Sequence, residues 1–147
     1  MLPHVLLALA LAWRYHLSAD DALRERARIL HRAATAHGVR VELLAAVCWV
    51  ESRVGTAPVY ASLCGVRLGH VYVRDDARSA DVAARTLAGS VRRCGSERDA
   101  LAAYRVGGTC ADPRGDGYAL DVLATARSIA RAQLRVIGEV DRNARAR

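Results

Sequence analysis

The chain has 147 residues, of which 52% are hydrophobic, with a net charge of +7, no Phe and no Lys. This length suits one domain with a modest core, and the apolar content excludes a disordered tail. The basic residues are all Arg and are scattered rather than blocked, so GC-rich codon usage explains them better than a nucleic-acid surface does. A basic surface also suits an anionic polymer.

The N-terminus reads "MLPHVLLALALAWRYHLSADDA". Val5 to Ala12 is a short apolar run, and Ala10 and Ala12 form an A-x-A pattern before Trp13. The expectation is a secretory signal over residues 1–12, although its first residues carry His4 and no Arg. The run is too short for a comfortable membrane span. The alternative is a first core helix or a membrane-contacting segment. The remaining chain reads as one domain over residues 19–138 and a basic, solvated tail over 139–147.

A helix is predicted over Ala19 to His37, capped by Ser18 and stopped by Gly38, with Leu23, Ala27, Leu30 and Ala34 on one face. A second helix fits Val41 to Ser52 and is apolar nearly all round, so it belongs at the centre. An irregular stretch from Gly55 to Arg78 follows, in which "GHVYVRD" alternates enough for a short extended segment. A third helix fits Ser79 to Cys94. A fourth begins at the capping pattern "SERD" and runs to Tyr104. A last helix fits Tyr118 to Ile137, with Leu120, Leu123, Ala130, Leu134 and Ile137 on its apolar face. The fold class is therefore all-α, with one buried central helix among four others.

The four cysteines, Cys48, Cys64, Cys94 and Cys110, allow three pairings. Their spacings fit no zinc pattern, so no metal is expected. Cys48 lies in the apolar run and reads equally as a buried free thiol. Cys64 with Cys110 is the preferred pair, since both stand in Gly-containing loop sequence that could flank one cleft. Cys94 with Cys110 closes a shorter loop and is the rival.

The central helix ends in Glu51, beside the face of Leu44, Val47 and Cys48. A carboxyl among such neighbours loses hydration, which favours its neutral form. A neutral carboxylic acid is what general acid catalysis of glycosidic cleavage needs. Periodicity alone favours an ordinary Glu near a helix end, paired with an Arg. Asp75, Asp76, Asp112 and Asp116 read as turn or loop residues.

Four stretches in order carry a resemblance. "AAVCWVESRVG" looks like a hydrophobic helix ending in Glu-Ser, and "ASLCGVRLG" stands where a Gly-rich stretch leads into Gly-Leu-Met-Gln. "SADVAARTLAGSVRRCGSERDALAAYRVGG" is similar to a helix pair ending in Ala-Tyr-Asn-x-Gly, and "GYALDVLATA" to a closing helix. From Ala33 to Ala126 the chain thus resembles the lytic transglycosylases of the soluble-transglycosylase, goose-lysozyme-like type. The resemblance implies a lysozyme-like helical domain with Glu51 as catalytic acid/base. It implies Ser52, Gly65, Tyr104, Arg105, Gly107 and Tyr118 as groups that bind or orient substrate. It also implies peptidoglycan glycan strands as the partner, no cofactor, and export to the periplasm or cell envelope, with no integral membrane span after processing and no nucleic acid. No Gln follows Gly65 or Gly69, and Arg105 stands where the family has Asn. These departures keep two alternatives open: a catalytically weakened peptidoglycan-binding or envelope-assembly domain, and a hydrolytic muramidase of the same fold.

Overall fold

The computed structural model describes residues 1–57 and 62–146. Among them are six α-helices and one small hairpin: α1 Pro3–Tyr15, α2 Asp21–His37, α3 Val41–Ser52, β1 Arg67–Leu68, β2 Val71–Tyr72, α4 Asp76–Cys94, α5 Glu97–Val106 and α6 Asp116–Arg145. A 3-10 turn over Pro113–Gly115 leads into α6.

The all-α expectation holds, and α3 occupies its predicted bounds. Leu43 to Cys48 are all buried, because this helix has no polar face to give to water. Around α3 the other helices close a ring in which each packs on the next, in the order α1, α2, α4, α5, α6 and back to α1. The ring thus has five helices rather than four. The fifth is the N-terminal segment, with Leu7, Ala8, Ala10 and Leu11 buried against the core. The first-core-helix alternative describes how residues 3–15 sit in this structure.

With no Phe, the core is filled by Leu, Ile and Val, with Ala at many of the contacts between helices. Burying one Leu contributes roughly 1.5–3 kcal/mol, and small Ala side chains let the helices approach closely.

Several helix ends differ from expectation. Asp20, not Ser18, caps α2 by accepting a hydrogen bond from the Leu23 amide at 2.9 Å. A carboxylate at this position also meets the helix dipole, which a hydroxyl does not. Helix α4 starts at Asp76 instead of Ser79, because Asp75 accepts from the Arg78 amide at 2.7 Å. The last helix runs from Asp116 to Arg145, well beyond Ile137. The expected solvated tail is therefore helical as far as Arg145. Its residues after Gly138 are mostly good helix formers with no Pro to interrupt them.

The cysteine pairing is corrected as well. Cys48 joins Cys64, and Cys94 joins Cys110, each closing a separation of 16 residues. Cys64 therefore does not pair with Cys110, and Cys48 is not a free thiol. The rival pair, Cys94 with Cys110, is the one that forms. No helix among the described residues is long and apolar enough to cross a membrane.

Candidate functional site

Helix α3 ends one residue after Glu51, and the chain then reverses sharply. Arg53, Val54 and Gly55 all adopt left-handed backbone, at φ 54°, 49° and 77°. A β-branched residue rarely takes this conformation, and the strain is of order 1–3 kcal/mol. Val54 is fully buried, and that burial offsets the strain. The reversal turns the chain back toward the end of α3, where a loop over residues 62–65 lies against Glu51. Residues 58–61, which include Pro58 and the first residue of "ASLCGVRLG", are outside the described residues.

Five contacts fix that loop. The Cys48–Cys64 bond joins it to α3 one turn before Glu51. The Leu63 amide donates to Asp76 at 2.8 Å, and the Cys64 amide donates to the Ser79 hydroxyl at 3.1 Å. The Ser62 and Ser79 hydroxyls meet at 3.1 Å. The Ser52 hydroxyl faces the carbonyls of Cys48, at 2.9 Å, and of Leu63. It has one proton for these two acceptors, and it accepts from the Gly55 amide at 3.1 Å. Ser52 is therefore a buried latch beneath the site that ties the end of α3 to the loop.

Gly65, at φ 60°, is the point of closest approach. A side-chain carbon there would lie 3.4 Å from both Cβ and the carbonyl oxygen of Glu51. At that distance a side-chain carbon would make ordinary contact, so it is the left-handed backbone that favours Gly here.

Glu51 and Gly65 line an open cleft of about 380 Å³, together with Cys64, Val66, Arg67, Leu68, Val82, Thr86, Tyr104 and Arg105. Its size falls within the roughly 300–1,000 Å³ usual for ligand sites. Helix α5 supplies Tyr104 and Arg105. The Tyr118 ring, from α6, stacks on Tyr104 with centroids 6.4 Å apart and planes within 7°. The Arg105 guanidinium lies 5.7 Å over the Tyr118 ring.

Both tyrosine hydroxyls are held well above their ordinary pKa, first by burial and second by the charge of Glu51. For Tyr118 the neighbouring Tyr104 and a weak hydrogen-bonding influence of Glu51 raise it further, and Arg105 opposes the shift. That influence falls short of a formed hydrogen bond: the Tyr118 hydroxyl is buried with no partner among the described residues. Tyr118 thus holds an undissociated O–H beside Glu51.

The cleft thus brings together Glu51, Gly65, Tyr104 and Arg105 from the expected set, with Tyr118 behind Tyr104. Ser52 lies beneath it. Gly107 is not part of it; at φ 67° it terminates α5, accepting no close neighbour. Cys110 is tied to Cys94 at the end of α4, and Cys64 alone of the proposed pair reaches the site.

The sequence reading missed Val66, Arg67 and Leu68, on and beside the hairpin, and Val82 and Thr86, one turn apart on α4. The "GHVYVRD" alternation marked β2 but not its partner β1. Gly69, at φ 63°, occupies the first position of the two-residue turn between them, where such hairpins favour Gly.

Glu51 is the sole carboxylate among the described residues lining the cleft. Asp76 is engaged by the Leu63 amide and faces Arg26 at 3.8 Å. Asp75 and Asp112 cap their own turns, and Asp116 pairs with Arg98 at 2.7 Å. The arrangement offers one carboxyl group able to give and take a proton, two neutral phenols beside it and two guanidinium groups. Comparison of the chain with protein-family models, with curated proteins and with solved structures found no match in any of the three.

Proposed function

We propose that the protein is a peptidoglycan lytic transglycosylase, cleaving the β-1,4 bond between N-acetylmuramic acid and N-acetylglucosamine. One observation carries this reading. Three separate segments that resemble the family in sequence meet at one cleft, with Glu51 against Gly65 and beside Tyr104.

In this mechanism the Glu51 carboxyl protonates the glycosidic oxygen as the bond to the muramoyl anomeric carbon breaks. The resulting carboxylate takes the proton from the muramoyl C6 hydroxyl, whose oxygen closes onto the anomeric carbon. The product is a 1,6-anhydro end, and Glu51 returns to its starting protonation state. No water has to be activated. A site with a single carboxylate is therefore sufficient, unlike the paired carboxylates of most glycosidases. The phenols of Tyr104 and Tyr118 serve as neutral donors near the carboxylate. The two disulfides suit an oxidising compartment, as an exported wall enzyme requires.

The test is release of soluble muropeptides from purified sacculi. The expected result is anhydro-ended products, lost in Glu51→Gln with the fold intact. Full release by the Gln variant would refute the assignment. Reducing ends would identify a hydrolytic muramidase on the same scaffold. Pelleting on sacculi without any release would identify a peptidoglycan-binding or envelope-assembly domain.

A further inference from the structure

The cleft carries more positive charge than cleavage of a neutral sugar chain requires. Its acidic and basic side chains are Glu51, Arg67 and Arg105, so the formal charge is +1 with Glu51 ionised and +2 with Glu51 protonated. Elsewhere on the molecule Arg26, Arg40, Arg98 and Arg114 each face a carboxylate, while Arg14, Arg53 and Arg135 lie over rings away from this cleft. Arg67 and Arg105 face none among the described residues. Each instead lies over an aromatic ring, Arg67 at 5.2 Å over Tyr72 and Arg105 at 5.7 Å over Tyr118. Such stacking holds a guanidinium by its face and leaves its N–H edge free to donate.

We propose that Arg67 and Arg105 recognise a carboxylate carried by the glycan beside the sugar that sits against Glu51. The identity of the ligand as a glycan rests on the function proposed above. The charge argument is independent of it. Two guanidiniums leave net attraction for a ligand carboxylate whether Glu51 carries its proton, as cleavage requires, or its charge, and in the Glu51→Gln protein both act unopposed. Arg binds a carboxylate through two parallel N–H bonds, a geometry that a sugar hydroxyl does not match. The two guanidiniums come from different elements, the β1 strand and α5, so a carboxylate held by both would also fix the hairpin relative to the helix.

In a muramoyl glycan this chemistry has two sources: the lactyl group of a peptide-free sugar, and the carboxylates of an attached stem peptide. Binding to the Glu51→Gln protein separates recognition from cleavage. The probes are chitotetraose, which has no carboxylate, the peptide-free GlcNAc–MurNAc tetrasaccharide, and its peptide-substituted form. The expected result in calorimetry is that at least one carboxylate-bearing probe binds about ten-fold or more tightly than chitotetraose. That preference should shrink as salt is raised. Arg67→Gln and Arg105→Gln should each reduce it, and Arg→Lys, keeping the charge but not the fork, should retain part of it. Tight binding of the peptide-free probe alone assigns the lactyl group, whose carboxyl is an amide in the peptide-substituted form; tight binding of the peptide-substituted probe alone assigns the stem, and tight binding of both shows that a carboxylate from either source is accepted. Chitotetraose binding as tightly as both others would overturn the proposal, as would a preference that survives both Gln substitutions. Absence of muropeptide release with the preference intact removes the enzyme reading and leaves this one standing. Release without the preference does the reverse.

Discussion

Replacing Tyr118 by Phe removes one oxygen atom from the wall behind the cleft, and two consequences of opposite sign follow. The hydroxyl is buried and makes no hydrogen bond among the described residues. A hydroxyl left unbonded in a protein interior costs about 1–3 kcal/mol. The ring itself remains, along with its stacking on Tyr104 and the Arg105 guanidinium above it. The residual pull of Glu51 on the O–H recovers part of the cost, so the lower end applies. The variant should be more stable by about 1 kcal/mol, which for a domain of this size raises Tm by about 2–4 °C. Under the proposed function, the same change removes a neutral donor next to Glu51, and muropeptide release should fall several-fold while stability rises. Urea unfolding followed by Trp fluorescence and a sacculus digestion assay on the same preparation read both effects. A loss of stability of about 1 kcal/mol or more would mean that the hydroxyl is bonded in the folded protein, and the reasoning would fail. Unchanged release would separate Tyr118 from the chemistry of Glu51.

Other substitutions probe other parts of the fold. Gly65→Ala places a methyl 3.4 Å from Glu51 on left-handed backbone, so release should fall by more than the accompanying loss of about 1 kcal/mol in stability; a variant with full activity would argue against close packing there. At Gly115 an added carbon would lie 2.4 Å from the Ala102 carbonyl oxygen, and Gly115→Ala should destabilise by about 1–3 kcal/mol or more in urea unfolding. Leu11→Ala should cost about 2–5 kcal/mol if α1 stays packed in the core, and nothing measurable if residues 1–12 are removed from the working protein, a distinction that mass spectrometry of the exported chain also reads. Arg40 holds Glu97 below the usual carboxylate range through a hydrogen bond at 2.7 Å. That stabilisation is complete above the ordinary carboxylate pKa and is lost as pH falls through the depressed one, so Arg40→Gln should flatten the acid side of the stability–pH curve.

Legibility in the sequence followed the kind of signal each element leaves. Helix α3 was readable within a residue or so because an apolar run between Arg40 and the polar Glu51-Ser52-Arg53 has one interpretation, although the left-handed stop at Arg53 and Val54 leaves no mark in the sequence. The start of α4 was hidden because an Asp-Asp pair serves a turn and a helix cap equally. The α1 segment was ambiguous for a physical reason: the apolar core of an export signal and the buried face of a short helix use the same residues. Connectivity of the cysteines is a property of the folded chain, and an apolar setting around Cys48 fits a thiol and a disulfide alike. At the site, Glu51, Gly65, Tyr104 and Arg105 came from an ordered resemblance and meet in one cleft. Arg67 was invisible because a two-residue strand has no period. Ser52 was expected to orient substrate, but a hydroxyl at the end of a helix answers first to the unbonded carbonyls around it.

The Cys48–Cys64 bond has a consequence for where the protein can work. Helix α3 is buried along most of its length, whereas the loop bearing Gly65 is joined to it by this bond and a few hydrogen bonds. Among reducing thiols only the hydrogen bonds would remain to hold Gly65 against Glu51. Under the proposed function, a cleft so built would be slack in a reducing compartment and set by oxidation.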